Sequence, residues 1–321
     1  MTQPRPSRLL IVLAFAAVYL IWGSTYLGIR YAIETLPPFL MAGARFGIAG
    51  LILFIWAAFK GESIRSSFSQ WPRALIIGGL LLLVGNGGVT WAEKHIASGL
   101  AALLVATEPL WVVMLNWGVS RKRPSPMVLL GVVIGLAGVA LLVSDGFKRV
   151  NGESSMSLAG AGMVLVASSA WASGSVYSSR RPIKGSTSVA AGMQMVAGGG
   201  LLLLLALTAG DFQRLSFSNT SWLSIGAFLY LLLVGSLIGF TAYSWLLHNV
   251  TPARAATYAY VNPVVAVLLG WLFAREPLTA RMLIAAAVIV GSVVLITTFG
   301  REHATTSAAL HDSECPTPPC A

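Results

Sequence analysis

Residues 96–120 read IASGLAALLVATEPLWVVMLNWGVS, with Glu108 as the only formally charged side chain and Pro109 directly after it. A bilayer's hydrocarbon core is about 30 Å thick and takes about 20 apolar residues at a rise of about 1.5 Å each. The stretch is therefore long enough to cross a membrane with a carboxylate at its midpoint. Charge-free runs of similar length recur at 9–29, 74–92, 124–144, 154–179, 185–210, 215–247 and 282–300. Three further segments complete the set: 37–59, interrupted by Arg45; 98–118, containing Glu108; and 252–273, containing Asn262. These runs predict an all-α membrane protein of ten transmembrane helices.

Composition agrees. Only 10% of the 321 residues are charged and 56% are hydrophobic, against about 25% charged in an ordinary soluble domain. That is too few charges to cover a water-facing surface. The run at 9–29 follows Arg5 and Arg8, yet it exceeds the roughly 7–15 apolar residues of a secretory signal and is expected to remain as the first helix.

The net charge of +10 and the pI of about 10.1 do not describe a nucleic-acid binder, because the basic residues are scattered through loops with no stacking module or basic groove. They describe topology. With a cytoplasmic amino terminus, thirteen basic residues fall inside: Arg5, Arg8, Lys60, Arg65, Arg73, Arg121, Lys122, Arg123, Arg180, Arg181, Lys184, Arg254 and Arg301. Seven fall outside: Arg30, Lys94, Lys148, Arg149, Arg214, Arg275 and Arg281. Both termini are then cytoplasmic by the positive-inside rule. The two cysteines, Cys315 and Cys320, lie in the tail HDSECPTPPCA, on the reducing side, where no disulfide framework is expected. Residues 301–321 lack a hydrophobic period and read as a disordered cytoplasmic tail.

The chain also repeats. At an offset of 149, Trp22, Ser24, Ala42, Gly43 and Gly50 fall on Trp171, Ser173, Ala191, Gly192 and Gly199. At an offset of 154, Gly85, Trp91, Pro109, Trp117 and Arg121 fall on Gly239, Trp245, Pro263, Trp271 and Arg275. After a one-residue loop change, Pro124 and Gly138 fall on Pro277 and Gly291. The expected organisation is a tail at 1–8, a first repeat at 9–145, a connecting loop at 146–157, a second repeat at 158–300, and the tail. Five helices per copy is an odd number, so the second copy enters the membrane from the opposite side. Inverted repeats of this kind hold a transported solute near the midplane between the copies.

The segments YLIWGSTYLGIRYAIETLPPFLMAGARFGIAG, ATEPLWVVMLNWGVSRKRPSPMVLLGVVIGLAGVALLV and YAYVNPVVAVLLGWLFAREPLTARMLIAAAVIVGSVVLI resemble the start and the two ends of an EamA domain of the drug/metabolite transporter superfamily. The resemblance covers about residues 9–299, and within the family GNGGVTWAEKHIASGLAALLVATEPL is most similar to bacterial inner-membrane exporters. It implies a ten-helix fold, a central cavity lined mainly by helices 1, 3, 4, 6, 8 and 9, and export of amino acids or related metabolites. Two positions depart from the family pattern: Asn262 stands where the family has Glu before the helix-9 proline, and Arg123 stands where Glu276 stands in the second repeat.

Among the acids, Glu108 alone is deep; Glu34, Glu62, Glu93, Asp145, Glu153 and Asp211 fall at helix ends or loops, as do Glu276 and the acids of the tail. An ionised carboxylate at midplane is penalised by at least ~2.5 kcal/mol unless it faces a wet cavity, finds a cation or takes up a proton. It could therefore bind a substrate ammonium, form an ion pair, or couple to protons; the alternative is a neutral carboxyl bonded to a neighbouring helix. Pro109 and Pro263 each free a carbonyl and are expected to kink their helices. Arg45 is either a clamp for a carboxylate, from substrate or from Glu108, or a structural side chain snorkelling outward. Asn86, between Gly85 and Gly87, would offer polar groups to a ligand or else mark close helix packing. Trp22, Trp111 and Trp171 lie deeper than the interfacial tryptophans, and Tyr258 shares a helix face with Asn262. The substrate site is thus expected from Trp22, Asn86, Glu108, Trp111, Trp171, Tyr258 and Asn262.

No metal-ligand spacing, phosphate loop or nucleophile elbow is present, so no enzyme, metal or cofactor is expected. The expected partners are a small-molecule substrate and the lipid bilayer, not nucleic acid, with the protein multi-pass in a bacterial inner membrane and its oligomeric state left open, a monomer included. The reading is a secondary transporter exporting neutral or aromatic amino acids by alternating access. Its alternatives are an exporter of another drug or metabolite class, or a membrane-embedded enzyme or scaffold without transport.

Overall fold

The computed structural model describes residues 7–62, 69–120, 123–143, 149–150, 153–154, 157–250 and 258–313. Arg5, Arg65, Arg121, Lys122, Lys148, Arg254, Cys315 and Cys320 lie outside them, as does most of the expected connecting loop. The described chain is helical apart from a two-residue antiparallel pair, Arg149–Val150 against Glu153–Ser154. Seven helices are long and apolar enough to cross a membrane, and Pro126–Leu141, Val261–Ala274 and Ala280–Ile296 are shorter apolar helices.

In chain order the main helices are α1 (Arg8–Ala32), α2 (Pro38–Phe59), α3 (Trp71–Gly78, Gly79–Asn86 and Gly87–Ala92 in succession), α4 (Ser98–Val105, then Glu108–Ser120) and α5 (Pro126–Val143). They continue as α6 (Leu158–Arg180), α7 (Thr187–Thr208), α8 (Trp222–Tyr230, Leu231–Phe240 and Thr241–Asn249), α9 (Tyr258–Ala274) and α10 (Ala280–Ser313). The middle portions of α3 and α8 are wound as π-helix, at places that correspond in the two copies of the repeat.

Helix starts are capped by side chains, because the first amides of a helix have no partner within it. The Ser7, Ser157, Ser186 and Ser221 hydroxyls accept from Leu10, Gly160, Val189 and Ser224 amides at 3.1–3.2 Å. Two caps come from afar. Asp211 Oδ2 accepts from the amides of Phe39 (2.9 Å) and Leu40 (3.2 Å) at the start of α2. Glu276 Oε1 accepts from Ser98 N (2.8 Å) and Ser98 Oγ (2.7 Å), and its Oε2 from Gly99 N (3.0 Å), at the start of α4.

Packing is densest between α2 and α7 and between α5 and α10. In the first pair a Cβ on Gly199 would lie 2.5 Å from Gly47 N, and one on Gly50 would lie 2.8 Å from Val196 N. Backbones approach this closely only when small residues line both faces. Gly131, Gly135 and Gly138 turn to Ile296, Ser292 and Ile289 of α10, so this small-residue face packs within the chain. Outward, Phe59 and Trp222 are among the large apolar side chains left exposed, a surface suited to lipid.

Two features differ from expectation. α10 continues to Ser313, into the segment expected to be disordered; once nucleated, a helix propagates through residues without proline, and the next proline is Pro316. And α4 does not merely bend. It stops at Val105 and restarts at Glu108, whereas α9 runs through Pro263 without a break.

Candidate functional site

The break in α4 gives Pro109 an ordinary place. In the first turn of a helix a proline's missing N–H leaves no bond unmade. The turn is closed by Thr107 N to Leu104 O (3.1 Å) and Leu110 N to Thr107 O (2.9 Å), with Thr107 Oγ1 donating to Leu104 O at 2.7 Å. Glu108 becomes a first-turn residue, where the positive end of the helix dipole favours a carboxylate. It is 2% exposed, and the Tyr258 hydroxyl donates a short hydrogen bond to its Oε2.

Beside this pair is a narrow cavity of about 70 Å³. Pockets open to a drug-sized ligand hold roughly 300–1,000 Å³, so most of the space is filled by the protein's own side chains. Its aromatic wall is built across the chain. Trp22 of α1 meets Trp171 of α6 and Tyr258 of α9 edge to face, at 5.6 and 5.3 Å between ring centroids, with Tyr243 of α8 packed on Trp22 at 4.8 Å outside the lining. Trp22 Nε1 donates to Gly235 O at 3.4 Å, in the π-helical part of α8. Close approach makes this possible: a Cβ on Gly239 would stand 2.7 Å from Trp22 Nε1, and one on Gly23 would stand 2.6 Å from Val265 Cβ.

The polar wall comes from Asn86, Asn262, Ser168 and Arg45. The Asn86 carbonyl accepts from Thr90 Oγ1 at 2.8 Å. Asn262 is 3% exposed, and its Oδ1 has no hydrogen-bond partner. Arg45 is also 3% exposed, with its guanidinium carbon 4.2 Å from the centre of the Phe46 ring and no acceptor for Nε or Nη1.

Trp22, Asn86, Trp171, Tyr258 and Asn262 therefore come together around one cavity. Glu108 and Trp111 do not line it. Glu108 sits behind Tyr258, and Trp111 Nε1 donates to Thr107 Oγ1 at 3.3 Å. Arg45 neither snorkels outward nor pairs with Glu108; it adds α2 to the cavity walls. Tyr243 packs on Trp22 without lining the cavity, whereas its repeat counterpart Val89 lines it. The sequence missed Glu93, which reads as a solvated helix end yet is 0% exposed with both carboxylate oxygens unpartnered; nothing in the sequence signals that burial. Among the described residues no group of three His, Cys, Asp or Glu side chains could hold a metal ion.

Helices that can cross a membrane, wrapped around a buried aromatic and polar cavity, make an integral membrane transporter. The chain belongs to the EamA-like transporter family, whose model matches it twice, at residues 9–144 and 158–298. It is 40% identical over 287 residues to the "Uncharacterized inner membrane transporter YedA" of Escherichia coli (strain K12), covering 88% of this chain and 89% of that protein. It is 26% identical over 300 residues to the "Uncharacterized transporter YvbV" of Bacillus subtilis (strain 168), covering 93% and 94%. A crystal structure titled "Crystal structure of protein" superposes with a TM-score of 0.63 at 23% identity, covering 92% of this chain and 99% of that one; this likeness concerns the fold. The protein is a multi-pass protein of the inner membrane.

Proposed function

We propose that the protein is a secondary transporter that exports neutral or aromatic amino acids, or related small metabolites, by alternating access between two inverted five-helix halves. The ten helices α1 to α10 span the membrane with both termini in the cytoplasm. The observation that carries the reading is the contact between Trp22 and Trp171. These residues are equivalent in the repeat, and equivalent residues can touch only near the axis relating the two copies. Helix contacts support the same symmetry, since exchanging α1–α5 for α6–α10 turns the α1–α9 contact into α6–α4 and the α3–α6 contact into α8–α1, all of which are made. A cavity on that axis is where rocking halves would alternately expose a solute.

Aromatic walls suit a solute with an apolar body, and the bare Asn262 Oδ1 suits one with a hydrogen-bond donor. The small volume corresponds to a state from which side chains must withdraw before a solute enters. The test is uptake of labelled phenylalanine, methionine and threonine into proteoliposomes, with and without an imposed pH gradient. Saturable uptake that Trp171→Ala abolishes is expected. A flux no greater than in protein-free liposomes for the whole panel would overturn the substrate assignment.

A further inference from the structure

Arg45 is a buried cation in an unusual position. Its Nε and Nη1 face no acceptor, and it lies in the wall of the central cavity. Two acids could have accepted from these donors, and neither does. Glu108 is engaged by Tyr258. Glu93, one residue beyond the end of α3, is fully buried with both oxygens free of hydrogen bonds, so Arg45 and Glu93 leave each other's hydrogen-bonding groups empty. Arg30 does not close the gap, since its Nη1 donates to the Glu93 backbone carbonyl at 3.1 Å. Burial, and after it the proximity of Glu276, pushes the Glu93 carboxyl well above the usual carboxylate range, against the pull of Arg30 and Arg45. Glu93 and Arg45 attract one another across this gap, but the Arg45 Nε and Nη1 donors stay without an acceptor.

A buried guanidinium with unsatisfied donors is costly, and an anionic ligand in the cavity would satisfy them. The planar fork of an arginine matches a carboxylate, which can take two parallel N–H donors. We propose that Arg45 is the carboxylate-recognition point of the transport cavity. The solute's carboxylate accepts from Arg45 Nε–H and Nη1–H, its apolar body lies on Trp22 and Trp171, and Asn262 Oδ1 accepts from a donor further along the solute. Recognition is thus led by the acid end of the solute rather than by an ammonium on Glu108. This assignment rests on the transport reading above and narrows it to carboxylate-bearing solutes.

The test uses the full-length purified protein and matched probes: phenylalanine, methionine and threonine, each against its carboxamide, together with 3-phenylpropionate. Binding is read in detergent from quenching of tryptophan fluorescence, and exchange is read in proteoliposomes. The free acids, 3-phenylpropionate included, are expected to bind at least about tenfold more tightly than the amides, the scale of a lost charge-assisted hydrogen bond. Arg45→Gln should bring acid and amide within about twofold, and Arg45→Lys, which keeps the charge without the fork, should recover part of the preference. A merely structural arginine would weaken all probes alike and leave their ratio unchanged. Equal binding of acids and amides by the wild-type protein, or an unchanged ratio in Arg45→Gln, would overturn the assignment while leaving transport intact. Should Arg45→Gln fail to fold, the wild-type ratio and Arg45→Lys still decide. If no probe binds or moves, the transport reading falls for these solutes and the assignment falls with it.

Discussion

α4 and α9 hold corresponding places in the two repeats, with Glu108-Pro109 in one matched by Asn262-Pro263 in the other, and they treat the pair in opposite ways. α4 breaks, so that its acid begins a new helix, accepts from Tyr258 and is shielded from the cavity. α9 absorbs its proline and brings to the cavity an amide whose oxygen has no partner. The group that looked functional in the sequence is the one the protein satisfies internally. Asn262, expected in the same site, keeps an oxygen without a partner. Symmetry of helix placement thus coexists with asymmetry of chemistry, and the two can be disturbed separately.

The largest effect should come from disturbing the symmetry itself. A Cβ on Gly199 would meet Gly47 and Gly43 backbone atoms at 2.5–3.0 Å, while one on the adjacent Gly200 would meet nothing within 4 Å. Backbone cannot step aside as a flexible side chain can. Gly199→Leu is expected to cost about 3 kcal/mol or more and to leave little monodisperse protein on size exclusion in detergent. Gly200→Leu should elute like the wild type. Equal behaviour of the two would mean that α2 and α7 do not meet as closely as described.

The chemical asymmetry is tested next, by two alanine substitutions at corresponding positions. Glu108→Ala strips the buried Tyr258 hydroxyl of its acceptor and should cost about 1–3 kcal/mol, read as a lower midpoint in thermal unfolding. Asn262→Ala removes an oxygen that already lacks a partner and should change stability by less than about 1 kcal/mol, while raising the KM for uptake by about tenfold. The reverse pattern, a stable Glu108→Ala protein and an unstable Asn262→Ala protein, would overturn the division between a satisfied acid and an available amide.

A smaller loss is expected at the edge of the same pair of helices. Glu276, just past α9, bonds Ser98 and Gly99 at the start of α4, and the first repeat has Arg123 at the corresponding position. Glu276→Ala should cost about 1–2 kcal/mol, a typical helix-cap loss with the charge included. It should speed hydrogen exchange of the amides that open α4. Exchange unchanged there would show that the cap is dispensable.

Much of this was legible before any coordinates. Charge-free runs mark the helices because a bilayer tolerates few unpaired charges, and the spacing of Trp22 with Trp171 and of Pro109 with Pro263 exposes the repeat. The cavity's aromatic members were legible too, since deep tryptophans and tyrosines are few. What escaped was orientation and partnership. A proline can kink a helix or start one, and only the hydrogen bonds around Thr107 decide which. Glu93 looks like the end of a helix, and its burial depends on elements remote in the chain. Arg45 allows an outward or an inward reading because its long stem can follow either path.

Trp111 offers the finest test of inside against outside. Sequence depth puts it with Trp22 and Trp171, but its indole bonds Thr107 at 3.3 Å and does not line the cavity. Trp111→Phe removes one partly buried hydrogen bond, worth about 0.5–1.5 kcal/mol, and keeps most of the ring's packing. Its thermal midpoint should fall slightly and its KM for uptake should match the wild type. Trp171→Phe, by contrast, alters a wall of the cavity and should shift KM. If Trp111→Phe shifts KM as much as Trp171→Phe does, Trp111 meets the solute at another stage of the transport cycle, and the cavity seen here is only part of the path.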